Sequence, residues 1–166
     1  MPDFVHKWEY EGEVITFTWL GDADVEPDRV YAFAFTQNGR MLLVTDPNWR
    51  PACWLPGGGI EDGERPEQAL ARELIEEAGA TVVKCVKIGS QSAVDSRGMS
   101  YQAFYWCRIA VASEFSPMHE VTDRYLVTPD EFLDRLFWGR RDPKAPMLLE
   151  RALEIEKGER NHHPVG

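Results

Sequence analysis

A chain of 166 residues is long enough for one domain with a real interior. Its 18 Lys and Arg against 28 Asp and Glu leave a formal net charge of −10, which argues against a general nucleic-acid surface but not against an anionic substrate held at a locally positive site. Cys53, Cys85 and Cys107 form no CxxC, no apolar run is long enough to cross a bilayer, and the first residues carry no apolar signal core. A zinc site, a disulfide framework and a membrane anchor are therefore not expected, and a reducing cytoplasm is the natural setting.

In chain order, Val14–Trp19 alternates apolar and polar residues as a half-buried strand does. Val30–Phe35 and Met41–Val44 are strand-like, and the Asn38-Gly39 pair between them signals a hairpin. Ala52–Leu55 leads into a glycine loop, Pro56-Gly57-Gly58-Gly59. A helix follows. Pro66 suits its first position, where no N–H is needed, and Gly79 suits a left-handed C-terminal cap. Leu70, Ala71, Leu74, Ile75 and Ala78 share one arc of that helix. Thr81–Ile88 and Tyr101–Val111 read as strands around the polar Ser96-Arg97-Gly98. Tyr125–Val127 is a short strand. Thr128 then caps a helix that starts at Pro129 and carries Phe132, Leu133, Leu136 and Phe137. A last helix is expected over Pro146–Glu156. Nothing marks a second domain, so residues 1–157 are read as one unit and residues 158–166 as a mobile tail. The fold class is α+β.

The central helix carries the chemistry. Glu73, Glu76 and Glu77 stand at i, i+3 and i+4, hence side by side, on the arc that flanks the apolar one. Burial and mutual repulsion raise the pKa of acids so placed, and a bound cation reverses that logic. Carboxylates without nearby Cys or His select a hard ion, Mg²⁺ or its substitute Mn²⁺. Glycines ahead of the helix let the backbone bend sharply and approach another group closely. Strand, glycine loop and acidic helix together suggest a cleft for a metal–phosphate complex.

Gly58, Glu64, Arg72-Glu73-Leu74, Glu76-Glu77, Gly79 and Ala80 fall in register with the Nudix box, and the segment resembles that family, Ala80 being small for its final apolar position. The resemblance implies a Nudix α/β/α sandwich with a mixed β-sheet between helices. It implies hydrolysis of a pyrophosphate bond in a nucleoside diphosphate linked to another group. Glu73, Glu76 and Glu77 would be metal ligands, joined by the Gly58 carbonyl. Glu76 or Glu77 would also orient or deprotonate water, Arg72 would hold a glutamate by a salt bridge, and Glu64 would be structural. Some family members take a further ligand or base from a loop near the last strand, where Glu120 lies beside His119.

Outside the box, Arg50 could bind phosphate and Trp49 and Trp54 could stack on a base; equally, Trp54 could be core and the other two loop residues. No proline occurs over residues 81–99, where ADP-ribose hydrolases of the family often carry one. A nucleoside triphosphate or modified nucleotide is thus the expected substrate, with ADP-ribose or a nucleotide sugar as runner-up. A non-catalytic nucleotide-binding module would usually have lost box glutamates, and an isopentenyl diphosphate isomerase would need a Cys–Glu pair not evident here. The expected partner is a small nucleotide rather than nucleic acid or membrane, with a homodimer possible.

Overall fold

The computed structural model describes residues 4–45, 52–112 and 123–162. Its nine strands are β1 (Val5–Tyr10), β2 (Glu13–Gly21), β3 (Arg29–Phe35), β4 (Met41–Thr45), β5 (Cys53–Trp54), β6 (Gly57–Gly59), β7 (Ala80–Asp95), β8 (Gly98–Val111) and β9 (Asp123–Val127). The helices are α1 (Pro66–Ala78), α2 (Pro129–Arg135) and α3 (Ala145–His162). The strands form one mixed sheet in the order β1-β2-β7-β8-β3-β4-β5, with β6 beside β3 and β9 beside β4. Every pairing is antiparallel except β3 with β8.

Period-two alternation sorts the core into two layers. Val30, Ala32 and Ala34 of β3 pack with Ala69, Leu70, Leu74 and Ala78 of α1 on one face. Phe33 and Phe35 pack with Phe132 and Leu133 of α2 and Leu148 and Ala152 of α3 on the other. Small side chains on the α1 face let that helix lie close to the sheet. Large aromatics fill the space under α2 and α3.

The expected α1 is present from Pro66 to Ala78, with Gly79 in the left-handed cap conformation at φ 59°. Its buried stripe differs in detail: Ala69 is buried, whereas Ile75 is 55% exposed. Thr128 precedes α2 but makes no side-chain cap bond, and α2 ends at Arg135, so Leu136 and Phe137 lie beyond it. The last helix outruns its expected end at Glu156 and includes residues first read as tail, since Arg160 bonds both Glu156 and the Gln37 carbonyl. The glycine loop is partly strand: Gly57–Gly59 pairs with Arg29–Tyr31. The strand after α1 runs to Asp95, well past Ile88. Strand β1 was not expected; it joins β2 through Glu11 and Gly12, both at positive φ, as a tight two-residue hairpin requires.

Candidate active site

Gly57 brings β6 against β3 so closely that a Cβ there would lie 2.0 Å from the Val30 carbonyl oxygen, and its φ is +148°. Only glycine fits both demands. The next residue, Gly58, faces α1. A Cβ on Gly58 would lie 2.6 Å from Glu73 Oε1, so the Glu73 carboxylate sits directly on the bare backbone. The Gly57 N–H donates to Glu77 Oε2 at 3.2 Å. The glycine strand and the acidic helix are thus joined through Glu73 and Glu77, two of the three carboxylates expected to hold metal.

Arg72 stands among the acids. Its Nε and Nη2 grip Glu64 at 2.9 Å each, and Nη2 also donates to the Gly59 carbonyl at 3.0 Å. Nη1 reaches Glu73 at 3.1 Å and Glu76 at 3.3 Å. The expected salt bridge is therefore a fork with Glu64 as principal partner. This pairing, aided by the Glu61 N–H, lowers the Glu64 pKa to about 2, while Arg72 is pushed further up. Glu77 moves the other way, to about 8. Burial is the chief cause and the Glu73 and Glu76 charges add to it, against the opposing Gly57 hydrogen bond.

The donor set suits a hard divalent cation: carboxylate oxygens and a backbone approach bared by glycine, with an excess of negative charge that Arg72 only partly offsets. Among the described residues, no three carboxylate, imidazole or thiolate groups already converge as a formed metal site would, and Arg72 lies between Glu73 and Glu76. Arg50, Trp49, His119 and Glu120 lie outside the described residues.

Trp54 is half-buried rather than core, its ring 4.8 Å from that of Phe137. It helps to wall a cavity of about 300 Å³ on the α2/α3 side of the sheet. Tyr31, Phe104 and Trp138 are further walls, and Gln91, Gln102 and Asp142 are its polar lining. Tyr31 ties cavity to acids. Its ring stacks on Phe104, and its hydroxyl accepts from Arg29 Nε at 2.9 Å. Arg29 is held more firmly protonated, first by Tyr31 and further by Glu73 and Glu77, with burial opposing. Lys144, buried beside the cavity, donates to Asp142 and lies 5.7 Å from the Phe17 ring centroid. Sequence reasoning missed Arg29, Tyr31, the glutamine pair and Asp142. The Arg29–Tyr31 spacing of two residues on a strand, which puts both on one face, was the available signal.

A NUDIX domain family model matches residues 25–148. The chain belongs to the Nudix family. Among solved structures, a Bacillus subtilis pyrophosphohydrolase is similar over 90% of this chain and 97% of its own, with a TM-score of 0.71 and 18% identity. The NUDIX domain of Shewanella oneidensis NrtR, solved with ADP ribose, gives a TM-score of 0.60 at 22% identity over 81% of this chain and 90% of its own. At these identities the likeness speaks to the Nudix fold. Among curated proteins, an 8-oxo-(d)GTP phosphatase of Mycolicibacterium smegmatis is 29% identical over 63% of this chain and 34% of its own length. An ADP-ribose pyrophosphatase of Bacillus subtilis is 38% identical over 37% of this chain and 35% of its own. Those two alignments span about a third of each relative's length.

Proposed function

We propose that this Nudix protein is a metal-dependent pyrophosphohydrolase of a small nucleotide, a nucleoside triphosphate or modified nucleotide for preference. The observation that carries the reading is the meeting of Glu73 and Glu77 with the bared Gly57-Gly58 backbone, with Glu76 held beside them by Arg72. The residues fit a divalent metal, which the family generally uses, with Mg²⁺ as the expected ion and Mn²⁺ as a substitute. Glu73, Glu76, Glu77 and the Gly58 carbonyl would hold it. When bound, it would neutralise phosphate oxygens and lower the pKa of water.

The chain's own residues supply the rest. Arg72 orients Glu73 and Glu76 while anchored to Glu64 and the Gly59 carbonyl. Water attacks phosphorus, the bridging P–O bond breaks, and Glu76 or Glu77 accepts the proton, with Glu120 a further candidate. Arg50 would steady a phosphate, and Trp54 would stack on a base. A setting in the cytoplasm and possible homodimerisation belong to the same reading; no helix among the described residues is long and apolar enough to cross a membrane.

The match to an ADP-ribose pyrophosphatase favours ADP-ribose or a nucleotide sugar as the second reading. Phosphate and pyrophosphate release with Mg²⁺, measured across nucleoside triphosphates, oxidised nucleotides, ADP-ribose, nucleotide sugars and dinucleoside polyphosphates, separates the two. Glu76→Gln and Glu77→Gln are each expected to abolish turnover with the fold retained. Wild-type rates in both would remove the assignment, and silence of the wild type across the panel would favour a binding module.

A further inference from the structure

The aromatic cavity contains a polar feature that the hydrolytic chemistry does not use. Gln91 of β7 and Gln102 of β8 are direct cross-strand partners. Gln91 Nε2 donates to Gln102 Oε1 at 2.8 Å. Gln91 is 4% exposed, and its Oε1 has no hydrogen-bond partner among the described residues. Buried amide oxygens are normally paired. The two side chains satisfy one another through one bond and keep over one C=O and, between their two amide nitrogens, three N–H. Exchanging nitrogen and oxygen in both amides leaves the same complement, a free carbonyl beside free N–H groups.

We propose that the Gln91–Gln102 pair reads the hydrogen-bonding edge of a nucleobase slotted between the aromatic walls. This inference rests on a nucleotide being the substrate and specifies which part of it enters the cavity. Trp8, Phe17, Tyr31, Trp54, Phe104 and Trp138 offer flat apolar surfaces. No Lys or Arg lines the cavity among the described residues, and Asp142 is the one charged lining residue. A phosphate is disfavoured in such surroundings; a neutral planar ring is favoured. A base carries what a buried amide pair needs, an N–H beside a carbonyl or ring nitrogen. Tyr31, a wall of the cavity, accepts from Arg29, and Arg29 feels the Glu73 and Glu77 charges, so cavity and acids are linked at the Arg29 end of β3 although they lie on opposite faces of the sheet.

The test uses the full chain in EDTA, so that no hydrolysis is involved. Adenosine, inosine and purine riboside are titrated against tryptophan fluorescence. Adenosine and inosine each present a donor beside an acceptor; purine riboside lacks the donor. A polar site rejects an analogue that leaves its groups unpaired, so adenosine or inosine should bind about tenfold or more tighter than purine riboside. Gln91→Leu and Gln102→Leu should each erase that ratio, and Gln91→Met carries the same test if the leucine variant fails to fold. Equal wild-type binding of all three nucleosides, no binding of any, or variants that weaken all three alike would overturn the proposal. Those outcomes leave the pyrophosphohydrolase reading standing if Glu76→Gln still abolishes turnover.

Discussion

Arg72 differs from an ordinary surface arginine because it serves several acceptors at once. A guanidinium can hold Glu64 with two atoms and still reach Glu73, Glu76 and the Gly59 carbonyl; an ammonium cannot. Arg72→Lys should therefore cost about 1–3 kcal/mol in urea unfolding and cut turnover more than its effect on substrate KM, because the carboxylates lose their orientation. An unchanged unfolding midpoint would show that the fork contributes nothing net. The buried Lys144–Asp142 pair raises a different issue. Burial lowers the Lys144 pKa below 10.5, and Asp142 only partly offsets this. The folded chain therefore gives up this proton before the unfolded chain does. The resulting penalty is constant at low pH and is relieved as pH rises from the lowered folded value to 10.5. Lys144→Met alone leaves a buried carboxylate unpaired and should cost about 3–5 kcal/mol. Asp142→Asn with Lys144→Met should recover most of that loss, and any advantage of the double variant over wild type should shrink as pH approaches 10.5. Thermal melts at pH 7 and pH 10 test both statements.

Elements translate such residue-level demands into placement. Two of the three glycines of strand β6 are glycine for different reasons, and alanine substitution separates them. At Gly57 the added Cβ meets rigid backbone of β3, so Gly57→Ala should cost about 3 kcal/mol or more in unfolding free energy. At Gly58 its nearest neighbours are the atoms of the movable Glu73 carboxylate, so Gly58→Ala should fold nearly as well yet lose most Mg²⁺-dependent turnover. Equal destabilisation by the two would refute the distinction. The same strand marks how far the sequence could be read. Spacing exposed α1, its cap at Gly79 and the acidic arc, because these depend on neighbours within a few residues. It gave the Asn38-Gly39 hairpin for the same reason. The pairing of Gly57–Gly59 with Arg29–Tyr31 left no local signal, since glycine runs look like loops until a partner strand is known. The Gln91–Gln102 contact and the cavity were hidden in the same way: each is created by register between distant strands. Strand β1 was legible in principle, for Val5–Tyr10 alternates exposed and half-buried side chains, but the exposed Val5 and half-buried His6 reverse the expected polarity at its start. Ile75 was misread because the buried stripe is rotated toward Ala69 and the acids, which leaves Ile75 past its far edge.

At the scale of the molecule, α3 is fastened to the sheet by ions as well as by its apolar side. Glu156, 7% exposed, accepts from Arg108 with both oxygens, and Arg108 also donates to the Phe35 and Thr36 carbonyls. Glu156→Ala strands a mostly buried guanidinium and should cost about 3–5 kcal/mol, whereas Arg160→Ala, at the exposed end of the network, should cost about 1 kcal/mol or less. Similar losses in chemical denaturation would mean that the buried pair is not the one that matters. The parallel pairing of β3 with β8 reaches furthest in its consequences. Phe35 and Arg108, adjacent in that ladder, are 73 residues apart in the chain. Closing so long a loop precedes any reward from the contacts it makes, which slows folding. During synthesis β3 emerges well before β8, and until residue 111 has left the ribosome its edge has no permanent neighbour. The glycine strand and the acidic helix are made in that same interval and must wait for the sheet that will support them. Completion of the sheet is therefore expected to be a late step, with the open edge of β3 exposed to misassembly until β8 arrives.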